Sequence, residues 1–288
     1  KTRRLRRRSL VIIPCEARQD PLGIGILMGF QPQQLRTLGD CGLKVSPLGI
    51  GTVKLGRNTG IKYPQAFDLP DDHQVSVLLE TARTLGINLI DTAPAYGISE
   101  QRLGQLLPGS RGDWVVCTKV GEQYQDQKSH YDFSAKATRL SLETSLRHLR
   151  TDYLDIVLVH CADDDLDILQ HSGVLAELDR FKRRGYIKAI GASTKSVAAG
   201  LLAVEETDIV MLTCNLDDQS QQPVLERARA LNKGVLLKKL FASGHLQDNE
   251  AAINFAMTQR AVASAIIGTI NPTHLAANVS AAVKALQP

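Results

Sequence analysis

Four residues in this chain have the types needed to move a proton and to hold the charge that results: Asp91, Tyr96, Lys119 and His160. Asp91 closes the apolar run "INLI", Lys119 stands near the end of "WVVCTKV", and His160 closes "YLDIVLVH". A core strand has no use for a carboxylate at its end unless something there pairs with it. Free tyrosine has a pKa of roughly 10, too high for easy proton exchange near neutrality, and a nearby ammonium favours the phenolate. Lys119 is expected to supply that ammonium and so to lower the Tyr96 pKa. Asp91 is expected to hold Lys119 in place and keep it charged, and His160 to donate a hydrogen bond to a substrate oxygen. Taken singly, the aspartate reads as a loop cap, the lysine as a solvated rim residue and the histidine as a core residue. Together, at the ends of successive apolar runs, they suit proton delivery to a carbonyl oxygen while negative charge builds on it. None of the four supplies a hydride, so a reduction needs a cofactor.

Such a cluster needs a frame that brings strand ends to one place. From about Leu35 onward the chain alternates. "LRTLGDCGLKVSPLGIGTV" reads as a small hairpin followed by a strand at 48–53. In "DDHQVSVLLETARTLG", Val75, Leu78, Leu79, Ala82 and Leu85 follow helical spacing, with Asp71 or Asp72 as cap and Gly86 as stop. "SEQRLGQLL" is expected as a short helix capped by Ser99. Leu142, Leu146 and Leu149 share a face of a later helix. Eight apolar runs, each followed by a helical pattern, suit strands buried on both faces. The count and the length fit a (β/α)8 TIM barrel with an N-terminal β-hairpin, spanning residues 32–288. A doubly wound open sheet is the alternative, but it would normally carry a GxGxxG loop after its first strand, and "GIGTVKLG" does not match. Barrel active sites lie at the carboxyl ends of the strands, which is where Asp91, Lys119 and His160 fall.

The net charge of +4 is uneven. Residues 1–27 hold seven Lys/Arg and two acids, which leaves 27 basic and 28 acidic residues, a net −1, in the remainder. The body therefore makes no case for nucleic acid. Residues 1–31, beginning "KTRRLRRRSLVIIPCEARQD", are expected to be a disordered basic extension; their apolar run is too short for a signal sequence. No apolar stretch is long enough to span a membrane. Five cysteines, far apart and without CxxC pairs, argue for a reducing compartment, hence a cytoplasmic protein. Trp114 opens its strand, at the end away from the chemistry, and reads as packing. The acidic segment "CADDDLD" after His160 reads as a solvated loop, or as a feature that disfavours anionic substrates.

The chain resembles the aldo-keto reductase superfamily from about residue 35 to its end, through "VSPLGIGTVKLG", "NLIDTAPAYGISEQRLGQLL", "VVCTKVG", "LDIVLVH" and "IKAIGAS" in order. The resemblance implies that Tyr96 is the general acid, tuned by Asp91 and Lys119, with His160 orienting the carbonyl. It implies NADP(H), with NAD(H) as the alternative, across the barrel mouth. Thr52 and Asp91 would lie near the nicotinamide ribose, and Ser193 and Thr194 at the carboxamide. Gly268, Thr269, Asn271, His274 and Asn278 would hold the adenosine phosphate half. Met211 stands where many members have glutamine. Lys238, followed by Lys239, stands where many have a stacking aromatic, and the two lysines suit the pyrophosphate. Gly268 and His274 replace the Lys or Arg that clamps the extra phosphate in NADP-preferring members. The implied substrate is a small aldehyde, ketone or sugar, and the implied protein a monomer or weak homo-oligomer. Three rivals stay open: an aldose dehydrogenase running toward oxidation, a non-catalytic cofactor-binding redox sensor, and a lyase using Lys119 as a Schiff base.

Overall fold

Apolar runs covered on both faces must be enclosed, and a parallel sheet achieves this by closing on itself inside a ring of helices. In the computed structural model, which describes residues 28–61, 63–246 and 248–287, the chain does this. Eight strands form one closed parallel barrel in sequence order. They are β1 (Leu48–Gly51), β2 (Leu89–Asp91), β3 (Val115–Val120), β4 (Leu154–His160), β5 (Ile187–Ser193), β6 (Ile209–Thr213), β7 (Gly234–Lys238) and β8 (Ser264–Ile267). The helices that follow them are α1 (Asp72–Thr84), α2 (Ser99–Leu106), α3 (Ala135–His148), α4 (Val174–Arg183), α5 (Val197–Glu206), α6 (Gln222–Ala230), α7 (Asn249–Thr258) and α8 (Pro272–Ala285).

The helices start and stop where the sequence predicts, for local reasons. Asp71 caps α1: its Oδ1 accepts from Gln74 N at 2.7 Å, and the Gln74 side chain returns a bond to Asp71 N. Val75, Leu78, Leu79, Ala82 and Leu85 are all buried between α1 and the barrel. Ser99 departs from expectation. It lies inside α2 and caps nothing; its hydroxyl donates to Thr52 Oγ1 at 2.7 Å and lies 3.1 Å from Thr92 Oγ1. The larger apolar core fills the space between strands and helices. A second core fills the barrel itself, with Leu89, Ile156, Leu158, Met211 and Leu236 among its members.

Two antiparallel hairpins decorate the barrel. The expected one, Arg36–Thr37 with Lys44–Val45, closes the amino-terminal end, where Leu38 and Val45 join the inner core. The other was not expected. Glu122–Gln125 pairs with Lys128–Tyr131 directly after β3, across a two-residue turn whose Asp126 and Gln127 both have positive φ. Two short α-helical pieces interrupt loops at the same carboxyl end as that second hairpin: a single turn at Val53–Gly56 and a short helix at Asp165–His171. Trp114 is buried at the start of β3 and donates to Pro108 O, a packing role. Most of the basic extension lies outside the described residues; Phe30, within the same stretch, is buried and donates its N–H to Leu85 O at 2.8 Å. No helix among the described residues is long and apolar enough to cross a membrane.

Candidate active site

The carboxyl ends of the strands surround a cavity of about 290 Å³ that Asp91, Tyr96, Lys119 and His160 all line. Asp91 ends β2 and sits beside Cys117 of β3, two residues before Lys119. The Lys119 ammonium is 1% exposed as a residue and has three partners: Asp91 Oδ1 at 2.6 Å, Thr92 O at 2.9 Å and Tyr96 Oη at 3.1 Å. Tyr96 ends a tight turn, Pro94–Tyr96, and Gly97 follows it with φ +62. That φ and the space both demand glycine, because a Cβ would collide with the Gly56 carbonyl oxygen. The backbone approach of Gly56 to Gly97 thus aims the phenol into the mouth.

Burial disfavours charge on the Lys119 side chain, but the Asp91 carboxylate, 2.6 Å away, outweighs it and the pKa is raised. It stays an ammonium. Burial also dominates at Tyr96. Lys119 pulls the phenol pKa down, yet burial, joined by the Asp91 charge, drives it above the ordinary value. The expected lowering by Lys119 is therefore present but outweighed, and the phenol is protonated at neutral pH.

His160, at the end of β4, has a partner that its strand position does not reveal. Glu122, from the unexpected hairpin, brings Oε2 to 2.8 Å from His160 Nδ1, somewhat off the ring's N–H axis. A bare nitrogen lone pair would repel a carboxylate at that distance, so Nδ1 carries the proton. Glu122 also accepts from Ser129 Oγ at 2.6 Å, and Arg57 lies 3.8 Å away. Burial opposes its charge, but His160, Ser129 and Arg57 hold its pKa down at about 2. His160 is itself pushed below the ordinary histidine value, by burial first and by the nearby Lys119 cation, against the pull of Glu122. The imidazole is then neutral at pH 7, with its proton on Nδ1. In that state Nε2 carries a lone pair.

The other candidates spread around the rim. Thr52 is buried and donates to Asp91 O at 3.0 Å, so its hydroxyl braces β1 against β2. Ser193, Met211, Lys238, Lys239 and Gly268 line the mouth with the four central residues. Lys238 Nζ donates to Ser193 Oγ at 2.8 Å and to Thr194 O at 2.7 Å. Thr194 lines a second, adjoining cavity, and its Oγ1 is buried without a hydrogen-bond partner. Thr269, Asn271, His274 and Asn278 line neither cavity. Asn271 caps α8, taking the N–H groups of Thr273 and His274 at 2.8 and 3.2 Å. Those two N–H groups at the start of α8 are therefore engaged within the protein. Sequence reasoning missed Lys54, Tyr63 and Lys195 as lining residues. Lys54 Nζ sits 4.1 Å from the Tyr63 ring centroid, and a Cβ on Gly268 would lie 2.9 Å from Tyr63 Oη. The loop after β1 therefore packs against the end of β8, the neighbouring strand. Glu122, three residues past Lys119, carried no signal, because nothing in "GEQYQ" marks a strand end.

The "CADDDLD" segment is not wholly solvated. Asp165 is buried and accepts from Lys195 N, Ser196 N and Ser196 Oγ, at 2.7, 2.8 and 2.7 Å.

One structural ground for a nicotinamide cofactor lies in the second cavity, where it adjoins the mouth. The buried, unpaired Thr194 Oγ1 beside Ser193 is the kind of polar atom that a carboxamide would satisfy.

Residues 47–252 match the family model described as the aldo/keto reductase family. Over 229 residues the chain is 31% identical to an L-galactose dehydrogenase of Arabidopsis thaliana, covering 75% of this chain and 67% of that protein. It is 30% identical over 212 residues to a D-arabinose 1-dehydrogenase of Saccharomyces cerevisiae, covering 67% of this chain but only 61% of that protein. A crystal structure of a Pseudomonas aeruginosa protein assigned to the aldo-keto reductases is 50% identical and superposes with a TM-score of 0.81, over 88% of this chain and 95% of that one.

Proposed function

The chain belongs to the aldo/keto reductase family and is an oxidoreductase, and from that premise we propose that it moves a hydride between a nicotinamide cofactor and a small carbonyl compound or sugar, with Tyr96 exchanging the proton. The observation that carries this reading is the buried Lys119 ammonium bound at once to Asp91, Thr92 O and Tyr96 Oη.

The cofactor supplies the hydride. This chain's residues do the rest. In reduction, the protonated Tyr96 donates from Oη to the substrate oxygen as negative charge builds there. The phenolate left behind is stabilised by Lys119, 3.1 Å away, and Asp91 keeps that lysine charged. In oxidation the same phenol must first lose its proton, which its raised pKa opposes at neutral pH. Oxidation should therefore speed up as pH rises. Neutral His160 offers Nε2 as an acceptor, which suits a hydroxyl beside the reacting carbon, as sugars and hydroxyaldehydes carry. This, with the two sugar dehydrogenases among the relatives, supports an aldose as substrate.

We read the cofactor as NADP(H), with NAD(H) as the alternative. Lys54, Lys195 and Lys239 make the mouth cationic, which suits a phosphate-bearing cofactor of either kind. Fluorescence titration with NADPH and NADH separates the two. Tight NADPH binding with weak NADH binding supports the first; binding of neither overturns the oxidoreductase mechanism. Tyr96→Phe tests the proton donor: turnover should fall by about a hundredfold or more while the cofactor Kd stays within about twofold. A variant that keeps most of its activity means another group moves the proton. Lys119 does not suit the lyase rival, since an ammonium bound to a carboxylate is a poor nucleophile.

A further inference from the structure

Lys238 projects from the end of β7 into the wall shared by the mouth and the second cavity, and it lines both. Its Nζ has two acceptors, Ser193 Oγ and Thr194 O. Among the described residues no carboxylate lies within ion-pair distance of it. The acids of the second cavity are Asp163, Asp217 and Asp218. Asp163 pairs with Lys195 at 2.7 Å, and Asp218 accepts from Ser220 N and Oγ. The neighbouring Cys161 thiol is pushed up to about 12, mainly by burial, and carries no counter-charge at neutral pH. Around Lys238 stand three further cations, Lys239, Lys119 and Lys195.

An ammonium has three N–H bonds; a neutral amine has two and a lone pair. Two neutral acceptors satisfy both N–H bonds of the amine, and among the described residues no anion is placed to hold a third proton on the nitrogen. This is the reverse of Lys119, whose ammonium holds three acceptors, one of them a carboxylate. We propose that the Lys238 amine is a carbonyl-capture site, which forms an imine with small neutral aldehydes that enter the barrel mouth. The nitrogen lone pair attacks the carbonyl carbon and the carbonyl oxygen becomes a hydroxyl. The nitrogen loses a proton, and expulsion of one water leaves the C=N bond. Nothing is oxidised or reduced. Burial, then the charge of Lys239, and further the Lys119 and Lys195 charges, bring the Lys238 pKa down to about 7 against a smaller pull from Cys161. An ordinary lysine is free amine in only about one part in a thousand at pH 7, so Lys238 has a large advantage in reactive form.

The capture is independent of the oxidoreductase mechanism, because it needs neither cofactor nor turnover, and its test reads a chemical mark. The cofactor-free, full-length protein is treated briefly with glycolaldehyde and cyanoborohydride, which reduces imines to stable hydroxyethyl-lysine. Peptide mapping by mass spectrometry then gives a rate for each lysine. At pH 7, Lys238 should be marked at least about tenfold faster than exposed lysines such as Lys128 and Lys284. Its rate should level off above about pH 8, while a lysine of ordinary pKa gains about tenfold per unit. Lys239→Gln, which removes the adjacent cation, should slow marking of Lys238 several-fold at pH 7. Marking of Lys238 no faster than of Lys128 and Lys284, or with the pH dependence of an ordinary lysine, overturns the proposal. A failed NADPH titration would leave this result standing, and a successful one would not rescue it.

Discussion

Which ring nitrogen of His160 carries the proton decides what the mouth accepts, and Glu122 sets it from 2.8 Å away. Replacing the carboxylate with an amide of the same shape, Glu122→Gln, keeps the volume and removes the charge. The imidazole then loses its fixed tautomer, and kcat/KM for a hydroxyaldehyde should fall about tenfold, as for the loss of a close charge beside a buried imidazole. The cofactor Kd should stay near wild type, and a loss confined to the cofactor Kd would show that Glu122 acts elsewhere. The same residue makes a pH signature. Its folded pKa, about 2, lies below the usual value near 4.3, so the unfolded chain binds a proton first as pH falls. The stabilisation is complete above about pH 4.3 and drains away toward pH 2. The Tm gap between wild type and Glu122→Gln should therefore narrow from pH 5 to pH 3; a constant gap would show that the carboxylate's charge is not involved.

At the scale of elements, two loop structures hold the site in place. The short helix Asp165–His171 after β4 is pinned to the start of α5 by Asp165, buried and bonded to three donors. Asp165→Ala strands the N–H groups of Lys195 and Ser196 in a buried setting. It should cost about 2–3 kcal/mol in urea denaturation, and a change within about 0.5 kcal/mol would contradict that assignment. The second structure is the hairpin that carries Glu122. Its turn residues, Asp126 and Gln127, adopt positive φ without a glycine. Asn-Gly and Asp-Gly are the usual signals of such a turn, so "DQ" gave no sign of it. The Asp71 cap and the buried stripe of α1 were legible, because both depend on neighbours within a turn or two. Ser99 misled for the same local reason: a serine before a helix reads as a cap, yet this hydroxyl bonds to Thr52 and Thr92 across loops.

Across the whole molecule, the two ends of the barrel are divided between stability and chemistry. The amino-terminal hairpin plugs one end with Leu38, which packs beside Gly234 and Ile209, and Arg36 donates to Val262 O at 2.8 Å. The reactive residues all lie at the other end. Leu38→Ala should therefore lower stability by about 2–4 kcal/mol while leaving kcat at 25 °C nearly unchanged in the folded protein. A large loss of kcat in that variant, with its fold intact by circular dichroism, would show that the two ends are coupled.

The sequence by itself determined the order of the strands and helices, the closed barrel, and the convergence of Asp91, Tyr96, Lys119 and His160 on one rim. Those follow from apolar periodicity and from which residue ends each run, both local properties. Only the tertiary structure decided the charge states of that cluster. Burial raises Tyr96 although Lys119 opposes it, Glu122 arrives from an unsignalled hairpin to fix His160, and Lys238 turns toward Ser193 and Thr194 instead of an anion. Desolvation and the distances between charges depend on how separate loops pack against one another, and one stretch of sequence contains no record of them.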